Sequence, residues 1–198
     1  MRAIKKLVVA IGGASGVHLG LKFIEYVPDS IELFVVVSEG AKDVAKHEID
    51  DNFTQQLLAL KDKRGFCIYN ENQMDSPIAS GSFGIDAMAI VPTSMNILAK
   101  IANGLCDELI SRCASVMLKE RRKLLLAPRE MPLSPIALEQ MSKLSLLGVI
   151  IAPPSVGYYA KPNDLESMER FFVGKWFDAL CIENMLYQRW KYDTKGIE

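Results

Sequence analysis

Short apolar runs and helix-period segments take turns along the whole chain. Leu7–Ile11 is a continuous apolar run of strand length. After the small-residue run Gly12–Gly16, Val17, Leu21, Ile24 and Val27 recur at i, i+4, i+7 and i+10, one face of a helix. Pro28-Asp29-Ser30 reads as a turn and Glu32–Val37 (ELFVVV) as a second strand; Ser38-Glu39-Gly40 then opens a short helix through Lys46. A helical piece within Asp50–Lys63 and a short strand Phe66–Tyr69 precede Asn70–Gly84, the longest irregular stretch. Ala87–Val91 is predicted as a strand stopped by Pro92. Helices follow from about Ser94 to Ala102 and from about Asp107 to Glu120; in the second, Ile110, Cys113 and Met117 share a face from which Arg112 is turned away. Lys123–Ala127 (KLLLA) and Val149–Ala152 (VIIA) read as strands around a helix Pro135–Leu147. Asp164 is placed to cap a helix from Leu165 to Leu180, and Glu183–Trp190 reads as a helical tail with an exposed Trp190. Such alternation predicts an α/β fold: an open parallel sheet of Rossmann-like or flavodoxin-like kind, helices on both faces, joined by right-handed crossovers.

Composition narrows the function classes. A chain of 198 residues with 49% apolar and 24% charged residues fits one globular domain over 1–198. A net charge of −1 gives no reason to expect nucleic-acid binding, and the basic cluster Lys119–Lys123 (KERRK) reads by itself as a solvated helix end. The four cysteines, at positions 67, 106, 113 and 181, lack metal-site or disulfide-framework spacing and are expected to be buried free thiols. The apolar run after the basic N-terminus ends at Ile11, too short for a signal peptide, and no run approaches the roughly 20 apolar residues of a membrane span. A cytoplasmic protein without metal or membrane contact is the expectation.

Open α/β sheets bind ligands beyond the carboxyl ends of their strands. At those ends stand Gly12-Gly13-Ala14-Ser15-Gly16, then Ser38, then Pro92-Thr93-Ser94-Met95-Asn96, then Pro128-Arg129-Glu130, and last PPSVGYY. Small hydroxyl and amide groups dominate the first three and suit a nucleotide's phosphate; charged and aromatic groups dominate the last two and suit chemistry. The glycine loop lacks the G-x-G-x-x-G spacing of a dinucleotide site, so a monophosphate such as that of FMN fits better.

With these residues in place, the chain resembles the UbiX-type flavin prenyltransferases, a branch of the FMN-binding flavoproteins. The resemblance runs through GASG (Gly13–Gly16), VVVS (Val35–Ser38), ASGS (Ala79–Ser82), PTSMN, LKERR (Leu118–Arg122), PRE.PLS (Pro128–Ser134), LSLLGVIIAP (Leu144–Pro153) and GYY..P (Gly157–Pro162). It implies metal-independent transfer of a dimethylallyl group from dimethylallyl monophosphate to N5 and C6 of reduced FMN. The prenylated FMN so made is a cofactor for UbiD-type decarboxylases, including one of ubiquinone biosynthesis. By the same resemblance, FMN contacts fall on Gly12, Gly13, Ala14, Ser15, Ser38, Ser94, Met95, Asn96, Ile97 and Arg112. The donor phosphate falls on Lys119, Arg129, Tyr159 and Lys175, and the catalytic set on Glu130, Ser15 and Lys119. Members form large homo-oligomers, so a dodecamer is implied, with the tail at about 183–198 available for subunit contacts.

Each role has a physical reason. Without a metal, the phosphate leaving an allylic carbon needs cations, Arg as a two-pronged contact and Lys as a point charge. Bonding at C6 requires loss of a ring proton, for which Glu130 is a reasonable base. Three positions depart from the family pattern: Lys175 stands where Arg is frequent, Met74 near a place often aromatic, and Gly12 where Thr is common. The alternatives are an FMN-dependent cysteine decarboxylase of the phosphopantothenoylcysteine or lantibiotic type, and an FMN carrier without chemistry.

Overall fold

The computed structural model describes residues 3–49 and 52–190. Six strands, β1 (Lys6–Ile11), β2 (Glu32–Val37), β3 (Cys67–Asn70), β4 (Ala87–Thr93), β5 (Lys123–Pro128) and β6 (Ile150–Ile151), pair in the order β3-β2-β1-β4-β5-β6. Every pairing is parallel. The connecting helices are α1 (Val17–Tyr26), α2 (Glu39–Glu48), α3 (Phe53–Arg64), α4 (Met95–Ala102), α5 (Leu109–Lys119), α6 (Pro135–Leu146) and α7 (Leu165–Leu180). Strand order reverses between β1 and β4, which makes the crevice above those two strands the topological switch point.

Two hydrophobic layers enclose the sheet. α1, α3 and α7 contribute Phe23, Ile24, Leu57, Phe172 and Phe177 to one face; α4, α5 and α6 contribute Leu98, Ile110, Met117 and Leu144 to the other. Strands covered on both sides need no polar alternation, and Leu7–Ile11 and Val35–Val37 are buried throughout. The predicted stripe Val17, Leu21, Ile24 and Val27 is the buried face of α1 and its end. Asp164 caps α7 in a reciprocal capping box with Ser167.

Three expectations are corrected. β4 does not stop at Pro92: it continues to Thr93 through a cis Val91–Pro92 bond and a register shift against β5. The Thr93 hydroxyl makes this possible by donating to Ile90 O at 2.7 Å and accepting from Ala127 N at 3.1 Å, so the irregular strand end stays bonded. Glu183–Trp190 is not helical. Cys181 closes α7 in the left-handed region at φ 63°, and side chains of the following segment bond back to α7 instead of continuing the helix; residues 191–198 of the expected tail lie outside the described residues. Of the cysteines, Cys113 is buried, whereas Cys67 and Cys181 are exposed and Cys106 is intermediate. Burial pushes the Cys113 thiol up to about 12. The irregular stretch Asn70–Gly84 carries two short 3-10 turns, Pro77–Ala79 and Gly81–Phe83.

Candidate active site

Three helix N-termini converge where the sequence places its small residues. β1 is followed by Gly12, whose N–H donates to Pro92 O at 3.0 Å; a Cβ on Gly12 would lie 2.7 Å from that carbonyl and 2.8 Å from Ile97 Cδ1. A Cβ on Gly13 would lie 2.7 Å from the carbonyl carbon of Gly40. These contacts press the loop against the starts of α4 and α2 at once, which a side chain would prevent. Ser38 caps α2 by accepting from Ala41 N at 3.0 Å, and Ser94 caps α4 by accepting from Ile97 N at 3.3 Å. Ser38 and Ile97 are buried, Ser15, Ser94 and Met95 partly so, and Asn96 is exposed.

Two carboxylates that the sequence did not single out stand at these N-termini. Glu48, the last residue of α2, accepts from Gly16 N at 2.8 Å and from Val17 N at 3.3 Å. The N–H groups at the start of α1 are thus met by a carboxylate of the chain itself. Glu71, just past β3, stands near enough to the backbone N–H of Glu39 at the start of α2 for that group to favour its charged form. Burial raises the Glu71 carboxyl against the lowering effect of that N–H, and the nearby Glu108 charge adds to the rise. Among the described residues, no carboxylate is hydrogen-bonded to the N-terminus of α4.

Arg129-Glu130 follows β5 and adjoins the same crevice, because Arg129 N donates to Thr93 O at 3.3 Å. Both side chains are exposed. Tyr159 lies on a short 3-10 turn beyond β6, and Lys175 on α7 borders a groove of about 500 Å³ with Ala152, Ser155 and Trp176. Three strand spacings, about 14 Å, separate β1 from β6. Arg112, in the first turn of α5, is turned away from the buried stripe as predicted, and its Nε donates to Ala79 O at 3.0 Å, on a 3-10 turn. Lys119 is not brought to the crevice by its own chain. It ends α5, pairs with Glu120, and precedes β5, whereas Arg129 follows β5; a six-residue strand holds those edges about 20 Å apart. Beside Lys119 at this amino edge lies a cleft lined by Arg121, Arg122, Leu146 and Leu147, with Leu146 86% exposed. Among the described residues, no group of three His, Cys, Asp or Glu side chains is arranged to hold a metal ion, and no helix is long and apolar enough to cross a membrane.

A doubly wound parallel sheet with hydroxyl-capped helices and a glycine-rich loop at its switch point defines a nucleotide-binding α/β protein. The glycine cradle and the start of α4 fit one phosphate and the edge of one ring system. The flavoprotein family model matches residues 1–171. A flavin prenyltransferase UbiX of Helicobacter pylori (strain ATCC 700392 / 26695) is 54% identical over 185 residues, 93% of this chain and 98% of that protein. The dodecameric FMN-dependent UbiX-like decarboxylase of Escherichia coli O157:H7 superposes with a TM-score of 0.88 at 36% identity, covering 94% of this chain and 100% of the other. AnUbiX (PadA1), solved with FMN and dimethylallyl pyrophosphate, superposes with a TM-score of 0.87 at 38% identity over 96% and 99% of the two chains. The chain belongs to the flavoprotein family, in its branch of UbiX flavin prenyltransferases. Two FMN-dependent cysteine decarboxylases match at 17% identity and share the fold alone.

Proposed function

We propose that this protein is a flavin prenyltransferase that joins the dimethylallyl group of dimethylallyl monophosphate to N5 and C6 of reduced FMN, without a metal. The observation that carries this reading is the pairing of a mononucleotide cradle at the switch point with Arg129-Glu130 bonded beside it through Thr93. Reduced FMN is a substrate here and supplies the two ring atoms that become bonded.

Gly12, Gly13, Ala14 and Ser15 line the approach, Ser38 and the Ser94–Ile97 turn hold the phosphate and ribityl end, and the open start of α4 favours the phosphate charge. Glu48 fixes the loop that carries Ser15 by holding Gly16 and Val17. Arg129, Tyr159 and Lys175 bind the donor phosphate as negative charge develops on it, and Glu130 takes the proton displaced at C6. Arg112 contacts FMN through guanidinium N–H groups other than the Nε given to Ala79. Lys119 reaches this site from a neighbouring subunit, since its own chain puts it at the opposite edge of β5. The amino-edge cleft with Leu146, Leu147 and Arg121 is a face suited to that neighbour, and the 183–198 segment adds subunit contacts. The product serves UbiD-type decarboxylases in the cytoplasm.

The test is anaerobic incubation of the purified protein with reduced FMN and dimethylallyl monophosphate, followed by mass spectrometry of the released flavin. A flavin heavier by one prenyl unit is expected. Tightly held but unchanged flavin would instead mark a carrier. Glu130→Gln is expected to slow ring closure with FMN affinity intact, and normal turnover by that variant would remove Glu130 from the mechanism.

A further inference from the structure

Residues 182–190, which follow α7, are held by a clamp that none of these roles uses. After Cys181 the backbone turns back along α7, and Asp178, in the helix's last turn, meets the returning segment. Its carboxylate accepts from Asn184 Nδ2 at 2.9 Å, Tyr187 OH at 2.5 Å, Arg189 Nη1 at 2.9 Å and Arg189 Nη2 at 2.8 Å. Arg189 thus grips both oxygens in the planar two-pronged geometry of an Arg–carboxylate pair. The Tyr187 ring passes so close over α7 that a Cβ on Gly174 would lie 2.5 Å from its Cδ1.

The clamp leads to the candidate donor site. Trp190 meets the Tyr159 ring edge-on, centroids 5.7 Å apart and planes at 78°. Phe171 of α7 meets Tyr159 in the same manner at 5.8 Å, and Tyr187 meets Phe171 at 5.1 Å. Four rings therefore run in series, the outer two from the returning segment and the inner pair from the Tyr159 turn and α7. Tyr159 is 36% exposed on a three-residue turn whose backbone alone fixes little of its direction.

We propose that Asp178 is a positioning residue: by fastening residues 182–190 along α7 it sets Trp190 against Tyr159, and so aims the Tyr159 hydroxyl at the donor phosphate. This role presupposes Tyr159 as a donor contact in the prenyl transfer proposed above. Asn at position 178 would keep the shape but offer one acceptor oxygen where Arg189 needs two, which frees the strap with little change to the packing of α7.

The experiment uses the full-length protein, with steady-state kinetics on dimethylallyl monophosphate, FMN titration and timed trypsin digestion. For Asp178→Asn, cleavage after Arg189 is expected to accelerate. The KM for the donor should rise about tenfold while FMN affinity stays unchanged, since only the donor contact is misaligned. Asp178→Glu, which restores a two-oxygen acceptor, should recover part of the loss. In a Tyr159→Phe background, Asp178→Asn should cost little more, because residues acting through one group are not additive. Faster cleavage with an unaltered donor KM would overturn the proposal, as would full additivity with Tyr159→Phe or an Asp178→Asn strap as resistant as wild type. Should Asp178→Asn not fold, Arg189→Gln cuts the same contact from its exposed side. A wild-type protein that prenylates nothing defeats the functional reading itself, whereas an active wild type with an unaffected variant defeats only the clamp.

Discussion

At Gly13 the backbone of the β1–α1 loop lies so near Gly40 that an added methyl would sit 2.7 Å from a carbonyl carbon. Neither the loop nor the first turn of α2 can yield cheaply, because the obstacle is backbone on both sides. Gly13→Ala is expected to cost about 1–3 kcal/mol of stability, the range for overpacking a fitted site. It should also weaken FMN binding, both effects being measurable by urea unfolding and flavin titration. The glycines and the caps Ser38 and Ser94 were legible in the sequence because helix-start chemistry is local: a small hydroxyl residue after an apolar run meets N–H groups three positions on. Glu48 was not legible. Its carboxylate meets Gly16 from 32 residues away, and nothing in the order of residues says which acidic side chain will reach a given helix start.

Among elements, the junction of β4 with β5 decides whether Arg129 and Glu130 reach the crevice. Thr93 is fully buried, and its hydroxyl serves as donor and acceptor at once. Thr93→Val keeps the volume but leaves the Ala127 N–H without its partner, for an expected loss of about 1–3 kcal/mol. Turnover should fall as well, and thermal unfolding with single-turnover kinetics would check both. Proline suggested a strand end there; the structure carries the strand past it, since the Thr93 hydroxyl bridges Ala127 N–H and Ile90 O where the register with β5 shifts. α7 brings its own dependence on acidity. Burial works to raise the Asp178 carboxyl, but the hydrogen bonds from Arg189, Tyr187 and Asn184 outweigh it, so its folded-state value lies below the ordinary 3.8. A depressed carboxylate contributes stability that is present above its unfolded value and disappears as pH falls through the lower folded one. The stability gap between wild type and Arg189→Gln should therefore be full above pH 3.8 and shrink below it, as acid titrations of both proteins would measure. The same hydrogen bond, after burial, pushes the Tyr187 hydroxyl up to about 12, so it remains a donor at every pH of interest.

At the scale of the whole molecule, one chain leaves the proposed chemistry divided between two edges of a sheet. Arg129 and Glu130 stand at the carboxyl edge and Lys119 at the amino edge, beside exposed Leu146 and Leu147. Mixing Lys119→Ala subunits with Glu130→Gln subunits, after dissociation and reassembly, should restore activity to a fraction of sites, because some sites then draw both intact residues from different chains. Activity no higher than that of either variant alone would show that each site uses one chain's residues. Light scattering on the same samples should give a mass well above the 22.0 kDa of a single chain. The sequence by itself determined the parallel α/β fold, the strands and nearly all helices, and which strand ends carry hydroxyls and which carry charge. Those follow from periodicity, caps and turn residues, whose effects extend over one or two helical turns. Tertiary structure alone decided that Glu48 and Glu71 meet helix starts, that Lys119 and Arg129 stand at opposite ends of β5, and that residues 182–190 fold back as an irregular strap. Such pairings depend on which distant surfaces the packed sheet and helices bring within hydrogen-bond reach, and no local pattern records that.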